Sequence, residues 1–220
     1  MARKLISKDE WEKYVSSDRD YFTYENFISA ADEYHDQGFL NSGSKSANKR
    51  ELAAFLANCA HETGDFHKIN EDTSNNYHDV HPEYPARAGR SYHGRGPMQL
   101  SHNYNYGPFS EHHFKNKNVL LDDPDRLARD GELGFKSAVW HWMTQPSRGR
   151  TAHDAISGGS FGKTIMAING DIEKDARRGG ARDKDRAVTN RINKYEKYAR
   201  LFNTDTGNGQ LDTRGMFPDS

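Results

Sequence analysis

The 220-residue chain carries 31 Lys and Arg against 32 Asp and Glu, a formal net charge of −1, and 34% of its residues are hydrophobic. This balance argues against nucleic acid as the main partner, because phosphate binding depends on a surplus of basic side chains. The length is sufficient for a substantial core, in one large domain or one bilobal domain.

The N-terminal residues MARKLISKDEWEKY contain no apolar run of the kind found in signal peptides. No window approaches the length of a transmembrane helix. We therefore expect a soluble protein with no membrane partner, cytosolic at synthesis or given without its export signal, and its localisation stays unknown. The single cysteine, Cys59, cannot form an intramolecular disulfide, and its apolar neighbours favour a role in the core over a catalytic thiol.

Apolar spacing and capping residues predict three helices in the first part of the chain. A short helix is predicted from Lys8 to Val15, and Thr23 caps a second one. The third is a central helix between an N-cap at Ser46 and a stop at Gly64. Its apolar residues recur at i, i+3, i+4, i+7 and i+8, which predicts a stripe packed against a core: Leu52, Phe55, Leu56, Cys59 and Ala60.

Two carboxyl groups at the end of this central helix lie in contrasting environments. Glu62 lies in the last helical turn, where the negative end of the macrodipole and burial both favour the protonated form that a general acid requires. Glu71 follows nine residues later in the polar segment INEDTSNN, which is expected to be solvated. Such a pair is the arrangement that glycosidases use, although acidic residues at a helix end are more often surface charge.

The segment from residue 72 to residue 90 lacks periodicity and predicts a long loop, and loops of this length in compact domains are often functional. Residues 91–107 read SYHGRGPMQLSHNYNYG, with tight turns and a short strand or bend at residues 98–100. This density of aromatic, amide and hydroxyl groups suits a sugar-binding surface. A polar loop with structural tyrosines would have the same composition.

Helices are also predicted in the second half of the chain. A short one begins at Asp123-Pro124, and Asp130 caps a stronger one. A capping box at Thr151–Asp154 opens another, which stops at Gly158-Gly159. The last two helices are predicted from Phe161 to Ile168, ending at Asn169-Gly170, and from Asp183 to Phe202.

Two other motifs fail on their spacing. His61-Glu62 begins like the zinc motif H-E-x-x-H, but the next histidine is His67, on another face of a helix, so no metal site is expected. The run GGSFGKT at residues 158–164 imitates a phosphate loop, but the first glycine of that motif would fall at Ser157 and no apolar strand precedes it.

Arg191 is predicted on the apolar face of the last helix, beside Val188 and Tyr195. A guanidinium there requires a carboxylate partner, because an unpaired buried charge costs several kcal/mol. Glu173 and Glu62 are the candidates.

The motifs together resemble glycoside hydrolase family 19, the plant-type chitinases. The resemblance rests on KRELAAFLANCAHETGDF, on GRGPMQLSHNYNYG, and on YFTYENFISAADEY, LGFKSAVWHWM, AINGDIE and RINKYEKY, in order along most of the chain. It implies a mainly α, bilobal, lysozyme-like fold with a substrate cleft between the lobes and little β structure. It also implies endo-acting hydrolysis of β-1,4 bonds in N-acetylglucosamine polymers with inversion and no cofactor, by a monomer whose substrate, chitin or its oligosaccharides, is extracellular.

The same resemblance assigns roles by motif. It implies Glu62 as general acid, Glu71 as general base, and Ser101 and Asn105 as the residues that position the attacking water and the substrate. The positions that match sugar contacts are Gln99, Tyr104, Asn105, Lys136, Asn169 and the motif tyrosine Tyr92. Glu173 and Arg191 match a supporting charge network beside the acid. An inverting enzyme holds its two carboxyl groups about 6.5–9.5 Å apart, so that water fits between base and sugar.

The sequence departs from the family pattern at Asp65 of HETGD, where the family has glycine, and at His93, where a tyrosine is common. The cysteines of the plant members are absent and the loop between the two glutamates is short, as in compact bacterial or phage-type members. Residues 1–220 are expected to form one catalytic domain without a separate carbohydrate-binding module. A peptidoglycan-cleaving lysin of the same superfamily is the alternative function. An inactive carbohydrate-binding protein is a second alternative, but it would not be expected to retain both glutamates and Ser101.

Overall fold

The computed structural model describes residues 2–15, 20–144 and 150–217. These residues form ten α-helices, and their extended structure consists of isolated bridges, among them Asn70 with Arg95 and Arg95 with Leu100. The mainly helical class is therefore confirmed. The helices are α1 (Lys8–Tyr14), α2 (Tyr24–Glu33), α3 (Lys45–Glu62), α4 (Asn103–Phe114), α5 (Asn118–Asp122), α6 (Arg126–Arg129), α7 (Gly131–Thr144), α8 (Ala152–Ser157), α9 (Phe161–Glu173) and α10 (Asp183–Leu201).

The chain forms two compact units. The first contains Met1–Ser7, Ala31–His61 and Trp142–Ser220, and the second contains Lys8–Ala30 and Glu62–His141. Glu62, the last residue of α3, thus belongs to the second unit. Within the described ranges, no helix has both the length and the apolar content needed to cross a bilayer.

Helix α3 supplies much of the core of the first unit, as its apolar stripe predicts. All five stripe residues, Cys59 included, are completely buried. The ring of Phe55 packs edge-on against Phe39 and Trp142, with centroids 5.3 and 5.6 Å away. The predicted N-cap is wrong: α3 begins at Lys45, and Ser44 accepts from the backbone N–H groups of Ala47, through its hydroxyl, and Asn48, through its carbonyl. The helix begins two residues earlier than predicted because each residue added contributes another backbone bond.

Three capping predictions are confirmed. Thr23 Oγ1 accepts from Asn26 N at 3.1 Å, and Asp130 Oδ1 accepts from Leu133 N at 3.0 Å, so each satisfies a donor at the start of its helix. Thr151 and Asp154 form the predicted reciprocal capping box of α8.

In the second unit, α1, α2 and α7 meet around Trp11, whose ring stacks on Phe27 at 4.7 Å and contacts Phe135 at 5.7 Å.

Two further helix boundaries differ from the sequence prediction. The short helix expected at Asp123-Pro124 begins at Arg126, because Pro124 and Asp125 form a turn first. Helix α9 does not stop at Asn169 but continues to Glu173 across a kink, with Asn169 at φ −142° and ψ 34°. The side-chain amide of Asn169 donates to Glu173 at 2.9 Å and links the two sides of this kink.

Helix α4 was not predicted, since it contains Gly107 and Pro108, both unfavourable inside helices. The glycine is required by packing: a Cβ at this position would lie 2.3 Å from the ring of Tyr84. A glycine that looks like a turn signal here serves a close contact instead.

The irregular tail after residue 203 runs along α9. At one end Gly162 N donates to Gln210 O at 2.9 Å, and at the other Asp175 N donates to Met216 O at 3.0 Å. Between them the buried Thr213 donates its hydroxyl to the carbonyl of Glu173. Ser160, within the glycine-rich run, caps α9 by accepting from Lys163 N at 3.4 Å.

Glu51 is a buried carboxylate of the first unit that binds three different segments of the chain. It is 3% exposed, and its oxygens accept from Leu40 N at 2.9 Å, Trp142 Nε1 at 3.0 Å and His153 Nδ1 at 2.5 Å. The hydrogen bond to Glu51 is the largest cause that raises the pKa of His153 above its ordinary value of 6.5. A protonated His153 is thus favoured because it neutralises a carboxylate that has few other routes to solvation.

This arrangement predicts a pH-dependent contribution to stability. A folded-state pKa above the unfolded value means that the contribution is fully present below about pH 6.5 and is lost as the pH rises through the folded value. We expect His153→Gln to lower the free energy of unfolding by about 1.5–3 kcal/mol at pH 5.5 and by less at pH 9. Thermal melts at both pH values measure this, with His67→Gln at an exposed histidine as the control. An equal loss at both values would contradict the prediction.

Candidate active site

Glu62 occupies the final position of α3 and is half-buried. The helix ends in a tight turn, in which the buried Thr63 accepts from Phe66 N through its hydroxyl at 2.8 Å and from His67 N through its carbonyl at 3.1 Å. Gly64, Asp65 and Phe66 all have left-handed backbones, with φ of 57°, 60° and 63°. Asp65, the departure from the family pattern, thus stands where glycine is favoured, and aspartate is among the residues that tolerate this conformation.

The segment that carries Glu71 is held by the GRGPMQL motif. Glu71 N donates to Gly94 O at 2.9 Å, and Gly96 N donates to Ile69 O at 2.9 Å, so that residues 69–71 pair with residues 94–96. On its other side Arg95 exchanges two backbone hydrogen bonds with Leu100, at 3.2 and 3.0 Å. The segment that carries Glu71 and the segment that leads to Ser101 therefore flank residues 94–96, one on each side.

The Glu71 carboxylate is oriented at both oxygens. Oε1 accepts from the Tyr77 hydroxyl at 2.7 Å, and Oε2 accepts from Gly94 N at 3.1 Å. Gly94 must be a glycine at this point, because a Cβ would lie 2.9 Å from Oε1 of Gln99. A carboxylate with one hydrogen bond on each oxygen is fixed in direction and keeps lone pairs for a further donor such as water.

Ser101, Tyr104 and Asn105 lie at the start of α4. Asn105 donates its side-chain amide to the carbonyl of Ser101 at 2.9 Å, and the hydroxyl of Ser101 makes no hydrogen bond within the described residues. The ring of Tyr104 is 38% exposed and stacks on His102 at 4.8 Å. An available hydroxyl beside an exposed aromatic face can hydrogen-bond and stack on a sugar.

The other sugar-contact candidates of the second unit differ in placement. Gln99 donates its side-chain amide to the carbonyls of Gly96 and Ile69, at 2.8 and 3.2 Å. It therefore holds the turn at residues 96–99 against the segment that leads to Glu71. Lys136 pairs with Glu132 at 2.8 Å along α7. The prediction that Tyr92 contacts substrate is wrong: its side chain is completely buried, its hydroxyl donates to Leu121 O and accepts from Arg87 N, and it is part of the core.

Arg95 is a buried residue of the motif turn that the sequence did not single out. It is 1% exposed, and one guanidinium nitrogen donates to Ser91 O, His93 O and the Tyr106 hydroxyl, while another pairs with Asp125. It thereby ties together the turn that holds Glu71. Its signal in the sequence was a cation between two glycines in a tight turn, where a surface position would be the usual interpretation.

The supporting charge network lies in the first unit and has the predicted ion pair. Arg191, 1% exposed, donates to both oxygens of Glu173 through Nε and Nη2, at 2.7 to 3.2 Å, and through Nη1 to Asn58 at 3.1 Å. Burial would raise the pKa of Glu173, but the charge and hydrogen bonds of Arg191, together with Asn169, outweigh it and hold the pKa below its usual value. The pairing with Glu173 is confirmed, and a contact of Arg191 with Glu62 stays a prediction.

A family model for class I chitinases of glycoside hydrolase family 19 matches residues 5–213. Among curated relatives, the chain is 38% identical over 195 residues to chitinase 5 of Oryza sativa subsp. japonica, covering 86% of this chain and 60% of the relative. It is 37% identical over 191 residues to endochitinase A of Zea mays, covering 86% and 62%. The chain thus spans about 60% of the length of these relatives.

Solved structures agree with the sequence comparison. The chain superposes on a family 19, class IV chitinase of Zea mays with a TM-score of 0.80 and 33% identity, covering 96% of this chain and 98% of that one. It superposes on chitinase C of Streptomyces griseus HUT6037 with a TM-score of 0.82 and 34% identity, covering 94% and 97%. Both likenesses extend over nearly the whole of each fold.

Proposed function

This chain belongs to glycoside hydrolase family 19, the class I chitinases, and on that premise we propose that it hydrolyses β-1,4 bonds between N-acetylglucosamine units of chitin, within the chain and with inversion. Residues 1–220 act in this proposal as one catalytic domain. The observation that carries it is the Glu71 carboxylate, which is fixed at both oxygens on one of the two segments that flank residues 94–96, while the other leads to Ser101.

Glu62 is proposed to donate a proton to the glycosidic oxygen as the bond to the anomeric carbon breaks. It is the last residue of α3 and is half-buried, so its side chain lies at a helix end and not within the core. Glu71 takes a proton from a water molecule, whose oxygen forms the new bond to the anomeric carbon from the opposite face. Glu62 thus loses one proton and Glu71 gains one, and exchange of one proton each with solvent restores both carboxyl groups for the next turnover.

Ser101 and Asn105 are proposed to hold the water and the reacting sugar, since both side chains stand at the start of α4 beside the segment of Glu71. Tyr104 offers an exposed ring on which a pyranose can stack. Gln99, Lys136 and Asn169 are proposed sugar contacts. Gln99 and Asn169 use their side-chain NH2 groups in contacts within the protein, and each keeps its amide oxygen to accept from a sugar hydroxyl group. Lys136 pairs its ammonium group with Glu132.

The anomeric form of the first product tests the mechanism. Direct attack of water from the face opposite the leaving group gives the α-anomer from a β-linked chain. We expect the α-anomer to predominate in proton NMR spectra of fresh digests of chitin hexamer. Purified peptidoglycan, incubated in parallel, should release far less reducing sugar. A predominant β-anomer would exclude the inverting mechanism, and faster release from peptidoglycan would reassign the substrate.

A further inference from the structure

Tyr77 connects the proposed base to the start of α4. It lies in the loop after Glu71, a polar stretch whose sequence gives no sign of a functional tyrosine. Its hydroxyl donates to Glu71 Oε1 at 2.7 Å, and its ring meets the ring of His102 edge-on at 4.7 Å. His102 is the residue directly after Ser101, so a single side chain contacts both the carboxylate of the base and the segment of the water-holding serine.

We propose that Tyr77 is a positioning residue for Glu71, and that the pair His102–Asp79 fixes Tyr77 in turn. The inference rests on the proposed function, because it concerns the direction in which the base accepts its proton. Tyr77 itself touches neither water nor sugar in this proposal.

The backbone of Tyr77 supports a built feature over an incidental contact. Its φ is 50°, a left-handed conformation that is strained for a tyrosine, and Asn75 Oδ1 holds it by accepting from Tyr77 N at 3.0 Å. Strain of this kind persists only where surrounding contacts determine it, and it is frequent at active sites. If the backbone of Tyr77 took an ordinary conformation with negative φ, the side chain would turn and its hydroxyl would leave Glu71.

His102 is fixed from its far side. Its Nδ1 pairs with Asp79 Oδ2 at 2.7 Å. Asp79 is held in turn by the side chain of Asn103, which accepts from Asp79 N at 2.8 Å and donates to Asp79 O at 3.0 Å. The series Glu71, Tyr77, His102 and Asp79 therefore continues into the first residue of α4, which is completely buried. The loop that carries Tyr77 is attached to a helix and does not depend on its own backbone alone.

The chemistry of the pair defines the direction of the effect. The hydrogen bond to Glu71 raises the pKa of the Tyr77 phenol, so the hydroxyl remains a donor over the whole working range. Hydrogen bonds to an ionised carboxylate are among the stronger ones, so loss of this one would leave the Glu71 carboxylate free to turn about its remaining contact with Gly94 N. The charged or titratable groups around the pair are His93, whose pKa burial lowers, Arg95 and Tyr106 beside the motif turn, and the pair His102–Asp79.

The test is Tyr77→Phe, which removes only the hydroxyl and keeps the ring against His102. We expect kcat on chitin hexamer to fall about 10- to 100-fold with little change in KM. Tyr84→Phe is the matched control, since it removes a tyrosine hydroxyl that donates to another carboxylate of this region, Glu111, at 2.9 Å.

Each other outcome is decisive as well. A Tyr77→Phe enzyme whose kcat matches that of Tyr84→Phe overturns the inference, and so does a rise in KM alone, which would make Tyr77 a substrate contact. Glu71→Gln, measured alongside, separates this result from the proposed function. Full activity of Glu71→Gln would overturn Glu71 as base and the role of Tyr77 with it. An inactive Glu71→Gln beside an unaffected Tyr77→Phe would overturn the role of Tyr77 only.

Discussion

Replacing Glu62 with glutamine is expected to lower kcat on chitin hexamer by roughly 10²- to 10⁴-fold or more, while the fold and sugar binding persist. Glutamine keeps the size and polarity of the side chain but has no proton to give to the leaving oxygen. Because the lost interaction exists only in the transition state, kcat should fall and the Kd for the oligosaccharide should change little.

The control for this experiment is Glu33→Gln. Glu33 is the last residue of α2, as Glu62 is of α3, but it is exposed. If Glu33→Gln has the melting temperature of the wild type and near-normal activity, loss of a carboxylate at a helix end is not harmful in itself. A Glu62→Gln enzyme that retains near-full turnover would remove Glu62 from the role of proton donor.

Arg191→Ala should destabilise the fold more strongly than His153→Gln. It leaves Glu173, which is 2% exposed, as a buried carboxylate without its cation, a situation that costs about 3–5 kcal/mol. For a chain of this length the melting temperature should fall by roughly 10 °C or more. Arg191→Lys should restore little of the loss, because a single ammonium group cannot reproduce the contacts of Nε and Nη2 with both oxygens.

The pH dependence of this loss has a definite sign. The pKa of Glu173 is depressed in the folded protein, so its contribution is present above the unfolded value and is lost as the pH falls through the folded one. The difference between wild type and Arg191→Ala should therefore narrow in acid. Arg178→Ala, which removes an exposed ion pair with Glu196, is the control and should cost about 0–1 kcal/mol. A similar melting temperature for both variants would mean that the Arg191–Glu173 pair contributes no more than surface charge.

Local signals in the sequence were sufficient where a polar side chain and a backbone N–H lie a few residues apart. Thr23, Asp130 and the Thr151–Asp154 box could be predicted for this reason, since capping depends on spacing along the chain. The kink at Asn169 could not be predicted, because continuation of α9 to Glu173 depends on Arg191 and Thr213, both distant in sequence. Helix α4 was missed for a similar reason: its glycine is explained by the ring of Tyr84.

The candidate site shows the same division. The motifs located Glu62, Glu71 and Ser101, and the inward face of α10 indicated that Arg191 needs a carboxylate partner. No motif distinguishes an exposed tyrosine from a buried one, so Tyr92 was misassigned as a substrate contact. Tyr77 was overlooked because its importance comes from one contact with Glu71 across an irregular loop, and periodicity cannot report on such loops.

The path of the tail along α9 affects how deletion experiments on this chain should be interpreted. A truncation before Thr204 would remove the acceptors at Gln210 and Met216, and with them the hydroxyl of Thr213 beneath Glu173. Such a protein would lose activity through partial unfolding, although none of the proposed catalytic groups lies in the deleted segment. In a protease digest of the native protein, cleavage within residues 209–216 should be slow, although this segment is not helical. Once cleavage there begins, it would report that the tail has detached from α9.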